Sequence, residues 1–152
     1  MSHDHKACMA SSLAVAETLG PKLTALRRRV LEIVLASHKP MGAYDVLAVL
    51  ARDGGKPQPP TVYRALDFLN REGLVHRIDS LNAFAACFAP EKSHRGHFLL
   101  CRACGRAAEI ADPALDAALK AAAAKAGLRV DRETVEITGV CAECSSVAPK
   151  GA

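Results

Sequence analysis

The chain has 152 residues, half of them apolar, and a net charge of +4. That length holds one ordinary domain or two small ones, with enough apolar material for a core. No apolar run reaches membrane-span length, and Leu13–Ala16, interrupted by Glu17, is too short for an export signal. A cytoplasmic setting with reduced thiols is therefore expected.

The first residues, 1–12, carry His3, His5 and Cys8 and are expected to form a loose tail. Thr24 is the expected N-cap of a helix whose Leu26, Val30, Ile33 and Val34 share one face. His38 follows it without an evident partner, and Pro40 prevents its continuation beyond Ser37. A second helix, Ala43–Arg52, turns Val46, Leu47 and Leu50 inward and stops at Gly54-Gly55. Lys56–Pro60 reads as a stiff, extended linker. The third helix, Thr61–Arg71, points Val62, Leu66 and Leu69 inward and Tyr63, Arg64, Asp67, Asn70 and Arg71 outward, and Gly73 ends it. Strands Leu74–Asp79 and Ala83–Phe88 follow, joined at Ser80-Leu81-Asn82.

Three helices and a β-hairpin are the parts of a winged helix-turn-helix, whose third helix enters the major groove of DNA. The charge is distributed accordingly. From Lys22 to Arg77 there are ten Lys/Arg against five Asp/Glu, whereas Leu81–Ala152 has nine against eight. The first half is suited to neutralising phosphates. Tyr63 and Arg64 open the exposed face of the third helix and are the expected base contacts, Arg forking onto guanine and Tyr packing on a thymine methyl. Lys22, Arg27 and Arg77 are expected to meet phosphates.

After Ala89-Pro90 the composition changes. His97–Cys101 and Arg106–Ile110 read as strands around the turn Cys101-x-x-Cys104. Pro113 opens an alanine-rich helix to Ala126, capped by Gly127, and Arg129–Val140 reads as a strand with Val130, Val135 and Ile137 apolar. Cys141-x-x-Cys144 completes a second pair. Four thiolates in two such pairs suit tetrahedral zinc, because each pair closes on one ion from a single turn. A zinc ribbon places about 15–20 residues between its pairs. Here Gly105–Val140 intervenes, long enough for strand, helix and strand, so the metal would clasp the two ends of a small domain. His76, Cys87, His94, His97 and Glu109 surround the first pair in sequence and suggest a second metal site. So small a sheet leaves a face or an edge open, and dimerisation would bury it.

In combination, Leu23-Thr24-x-x-Arg27-x-x-Val30-Leu31, Thr61-Val62-Tyr63-Arg64-Ala65-Leu66, Gly73-Leu74-Val75-His76, His97-Phe98-Leu99-Leu100-Cys101-x-x-Cys104-Gly105 and Gly139-Val140-Cys141-x-x-Cys144 resemble, in order, the ferric uptake regulator family. The resemblance spans about Leu19 to Ser145 and is closest to zinc-sensing members. It implies an α+β protein: a winged helix-turn-helix domain over 13–88, a hinge over 89–92, a zinc-clasped α/β dimerisation domain over 93–145 and a tail over 146–152. It further implies a metal-dependent transcriptional repressor of zinc-uptake genes, a homodimer on inverted-repeat operator DNA, with no membrane and no small-molecule substrate. Two zinc ions per subunit are expected. Cys101, Cys104, Cys141 and Cys144 would hold the structural one. The resemblance assigns His76, Cys87, His94 and Glu109 to the sensory one, while His97 has no clear partners for a further site. Iron and peroxide sensors of the family use only nitrogen and oxygen ligands at the corresponding site, and the Cys87 thiolate shifts preference toward zinc.

An enzyme is not expected. A zinc deaminase needs His-x-Glu and Pro-Cys-x-x-Cys, but no His-x-Glu occurs, and Leu100 and Val140 precede the pairs. The alternatives are an iron- or peroxide-responsive relative and a zinc-ribbon interaction module.

Overall fold

The computed structural model describes residues 5–87, 90 and 96–147. Helix α1 (His5–Glu17) is followed by the three expected helices, α2 (Ala25–Ala36), α3 (Ala43–Arg52) and α4 (Pro59–Arg71). Thr24 does cap α2, its hydroxyl accepting from the Arg27 N–H at 3.3 Å. Val30, Leu31, Val34, Val46, Leu66 and Leu69 interleave in the core and are at most 1% exposed.

Two expectations fail here. The loose tail over 1–12 is helical from His5, and Ser12 and Ala16 are fully buried against the core. The extended linker ends earlier than expected, because Pro59 and Pro60 form the first turn of α4. Proline lacks an N–H, and that N–H would find no partner in a first helical turn.

Strands β1 (Val75–Ile78) and β2 (Ala83–Ala86) pair antiparallel with Val75 opposite Ala86 and Ile78 opposite Ala83. A short 3-10 turn, Asp79–Leu81, joins them, ending on Asn82 at φ 45°. Met41 adds a single bridge to Phe84, fixing the hairpin to the helices. This is the winged helix.

The second unit is a three-stranded sheet in the order β4-β3-β5, made of β3 (His97–Cys101), β4 (Ala107–Ile110) and β5 (Val135–Gly139), with α5 (Pro113–Lys125) between β4 and β5 and α6 (Ala142–Val147) at the end. Asp112 caps α5, accepting from the N–H groups of Ala114 and Leu115. The strand expected over Arg129–Val140 is only Val135–Gly139, since β3 extends over just five residues and offers no pairing for the rest. Cys144 lies on α6, a helix the sequence reading did not anticipate.

The two faces of this sheet differ. Glu109, Phe98 and Glu136 stand side by side in one row across β4, β3 and β5, and Ala108, Leu99 and Ile137 form the next. Neighbouring rows point to opposite faces. Phe98 and Leu100 pack with Ile78 and Ala85 of the hairpin, joining the two units through an apolar cluster. On the opposite face Ile137 is 49% exposed, and a hollow of about 190 Å³ runs between Leu99, Ile137 and Val140.

Candidate metal centres and nucleic-acid face

Parallel pairing of β3 with β5 places Cys101 level with Gly139, so both Cys-x-x-Cys turns emerge at the same end of the sheet. Gly105, at φ 73°, lets the first turn fold back, its N–H donating to the Cys101 carbonyl at 2.8 Å. All four sulfurs lie within 4.8 Å of one another, and Cys104 and Cys141 are 4.0 Å apart. A tetrahedron with Zn–S bonds of about 2.3 Å has edges of about 3.8 Å, so the donor set fits zinc.

The local electrostatics fit too. The Cys101 thiol is pushed down to about 6, first by the Cys141 N–H donating to its sulfur at 3.3 Å. Cys104 is lowered by the Arg106 guanidinium, which donates to it at 3.4 Å and is itself held by Glu143. Cys144 is pushed up to about 12, first by its hydrogen bond with Cys141 and then by burial. The protein's own groups thus favour thiolates at Cys101 and Cys104 and resist one at Cys144. A divalent cation held among them would supply the charge that lets all four ionise together.

The second group gathers His76 from β1, Cys87 just after β2 and Glu109 from β4, with ligand atoms within 4.8 Å of one another. His94, the fourth expected member, lies outside the described residues. The Nε2 of His76 is 2.9 Å from Glu109 Oε1, and both side chains are largely buried. Phe98 meets the His76 ring edge-on at 5.6 Å between centroids. The backbone of Cys87, a fully buried residue, is anchored on both sides: its N–H donates to the Leu74 carbonyl, and its carbonyl accepts from Ser12 Oγ at 3.2 Å. Borderline-soft zinc suits a thiolate, an imidazole and a carboxylate together.

Gly96 was not anticipated in this role. A Cβ there would lie 2.8 Å from the Phe98 ring and 3.1 Å from His76 Nδ1. Gly96→Ala is expected to push the His76 ring off Glu109 and raise the zinc needed to fill this group about tenfold, or about 1.4 kcal/mol. Calorimetric zinc titration with the four-cysteine centre loaded would measure it.

His97 does find neighbours. It is 1% exposed, with Nε2 2.9 Å from Asp116 Oδ1 on α5 and Glu133 close by. The Val135 N–H donates to its Nδ1 at 3.2 Å. Because that N–H can only donate, Nδ1 is the accepting nitrogen, and Nε2 carries the proton and donates to Asp116.

On the winged-helix face, Arg64, Asp67 and Arg71 are exposed on α4, while Tyr63 is half-buried against the core. Lys22 is exposed. Arg27 stacks over the Phe68 ring at 3.7 Å and donates to the Lys22 carbonyl. Arg77 is engaged within the wing by Asp79 and by Asn82 Oδ1. Arg28 and Arg29 are paired with Glu17, Glu32 and Asp53. Part of the positive charge counted in the sequence is therefore compensated locally.

The chain matches a model of the Ferric uptake regulator family over residues 18–138. It is 33% identical over 127 residues to the zinc uptake regulation protein of Escherichia coli strain K12, covering 83% of this chain and 74% of that protein. A solved zinc uptake regulator complexed with zinc and DNA superposes with a TM-score of 0.85, at 29% identity, over 96% of this chain and 98% of the other. Holo XcZur superposes with a TM-score of 0.80, at 35% identity, over 94% and 99%. Apo XcZur, 36% identical over 93% and 98%, reaches only 0.51. The two units of this chain are thus arranged more like those of holo XcZur than those of apo XcZur.

Proposed function

The chain belongs to the ferric uptake regulator family, and on that premise we propose that it is a zinc-responsive transcriptional repressor that binds operator DNA as a zinc-loaded homodimer and represses zinc-uptake genes. The observation that carries this reading is the buried Cys87 beside His76 and Glu109, in a group drawn from both units.

Cys101, Cys104, Cys141 and Cys144 take the structural ion. His76, Cys87 and Glu109, completed by His94, take the sensory one, giving two zinc ions per subunit. With one thiolate and one carboxylate the sensory centre is formally neutral, which makes a dry hinge tolerable. Bound zinc supplies a cross-link between wing and second domain. The chain's own residues make that link informative. Leu74 and Ser12 fix the Cys87 backbone, and Phe98 and Gly96 fix the His76 ring. The uncovered face around Leu99, Ile137 and Val140 is the dimer surface in this reading. Two α4 helices are then presented about one DNA turn, or a multiple of it, apart. Metal favours that geometry by as much as it prefers it.

His97 serves as a brace between β3, α5 and β5. A metal on its Nε2 would move the proton to Nδ1, where it would oppose the Val135 N–H. The iron- or peroxide-sensing alternative is disfavoured by the thiolate, since iron(II) and manganese prefer nitrogen and oxygen donors. No described helix is long and apolar enough to cross a membrane, and we place the protein in the cytoplasm with its DNA.

The test is operator binding with zinc and with a zinc chelator present. Tight binding that the chelator abolishes is expected, and equal binding in both would refute zinc dependence. Arg64→Ala is expected to cost about 1–3 kcal/mol on the operator and to relax discrimination at one base position, while random DNA is bound as before. Unchanged operator affinity would remove α4 from the major groove.

A further inference from the structure

Across the sheet row that carries Glu109, the far neighbour of Phe98 is Glu136 on β5. Its two carboxylate oxygens accept separate backbone N–H groups of the wing turn, Asp79 at 2.8 Å and Ser80 at 3.2 Å. These amides open a 3-10 turn, where backbone N–H groups have no partner within the turn itself. Charge-assisted bonds of this kind are roughly twice as strong as neutral ones.

We propose that Glu136 is a positioning residue for the sensory centre: it clamps the wing tip to the second domain without metal and so lowers the zinc concentration at which the protein becomes competent to bind DNA. This rests on the zinc-sensing reading above. The geometry that carries it is the shared row. Glu109 and Glu136 flank Phe98 on one rigid sheet, and the groups they meet, His76 and Asp79-Ser80, follow one another along β1 and its turn. Between the two contacts, Phe98 and Leu100 pack on Ile78 and Ala85. The wing is thus gripped at three points, one polar and metal-independent, one apolar, and one that zinc completes. Arg77 stiffens the gripped turn, its guanidinium engaging Asp79 at 3.1 Å and Asn82 at 3.2 Å. Fixing Asp79 and Ser80 leaves His76 little freedom to swing away from Glu109. In population terms, the clamp raises the fraction of zinc-free chains already in the binding geometry, and apparent zinc affinity rises with that fraction.

Two measurements on the full-length dimer with its four-cysteine centre loaded test this. In the absence of sensory zinc, the Asp79 and Ser80 amides should be protected from hydrogen exchange, and Glu136→Ala should speed their exchange about tenfold or more. The free zinc giving half-maximal operator binding should rise about tenfold in Glu136→Ala and by less in Glu136→Gln, whose amide oxygen still accepts, while operator affinity at saturating zinc stays within about twofold of wild type. Unprotected wild-type amides, or a midpoint unmoved in both variants, would overturn the proposal. So would a loss of affinity that persists at saturating zinc with no shift in midpoint, which assigns Glu136 to DNA contact geometry alone. If wild-type operator binding ignores zinc, the sensory reading fails and tuning by Glu136 with it, while the exchange rates still decide whether the clamp exists.

Discussion

Cys141→Ser is expected to release the zinc of the four-cysteine centre, unfold the second domain and separate the dimer. Among residues 96–146 only His97, Phe98, Leu100 and Cys101 are buried within one chain, far too few for a domain of that size to fold on apolar burial. The four sulfurs bring the ends of β3 and β5 together with α6, so a metal held by them would stand in for the missing core. Structural zinc in small domains supplies about 10–16 kcal/mol of apparent binding free energy, which is folding free energy when the site does not exist in the unfolded chain. Zinc content, circular dichroism and size-exclusion chromatography measure the outcome. A folded, dimeric Cys141→Ser protein that retains its tightly held zinc would contradict the assignment.

The second large effect is expected at Cys87. Cys87→Ser should keep the fold, the dimer and the structural zinc, because the backbone bonds to Leu74 and Ser12 do not use the thiol. It should lose one zinc per subunit, since a neutral hydroxyl replaces the soft thiolate. Outer-shell partners of a metal are worth about 10–100-fold in affinity, so loss of a direct ligand should shift the zinc midpoint of operator binding by at least about a hundredfold. The variant should not acquire a response to iron or peroxide. A midpoint equal to wild type would take Cys87 out of the sensory centre.

Much of this fold is legible in the sequence, for local reasons. Thr24, the periodic apolar residues of α2–α4 and Gly73 act within a turn or two of themselves, and the Cys-x-x-Cys spacing is a single-turn device. Where the sequence reading went wrong, the deciding contact was distant. α1 lacks an acidic first turn and a basic last turn, and what fixes it is the burial of Ser12 and Ala16, with Ser12 reaching Cys87 75 positions away. The pairing of His97 with Asp116 spans 19 positions and depends on where α5 docks. Glu136 reads as an ordinary polar residue in an alternating strand, and only the docking of the wing gives its carboxylate two amides to accept from. The proline error differs in kind. Pro59-Pro60 signals an extended segment and a helical first turn equally well, and the amphipathic run after it settles which.

In the proposed reading, zinc held partly by Cys87 sets DNA binding. The most direct test titrates operator binding by the wild-type dimer against buffered free zinc, iron(II) and manganese, with the four-cysteine centre loaded throughout. Zinc is expected to drive binding at far lower free concentration than either other metal, with one further ion taken up per subunit as binding appears. Binding driven by iron(II) or manganese at concentrations where zinc has no effect would contradict that reading.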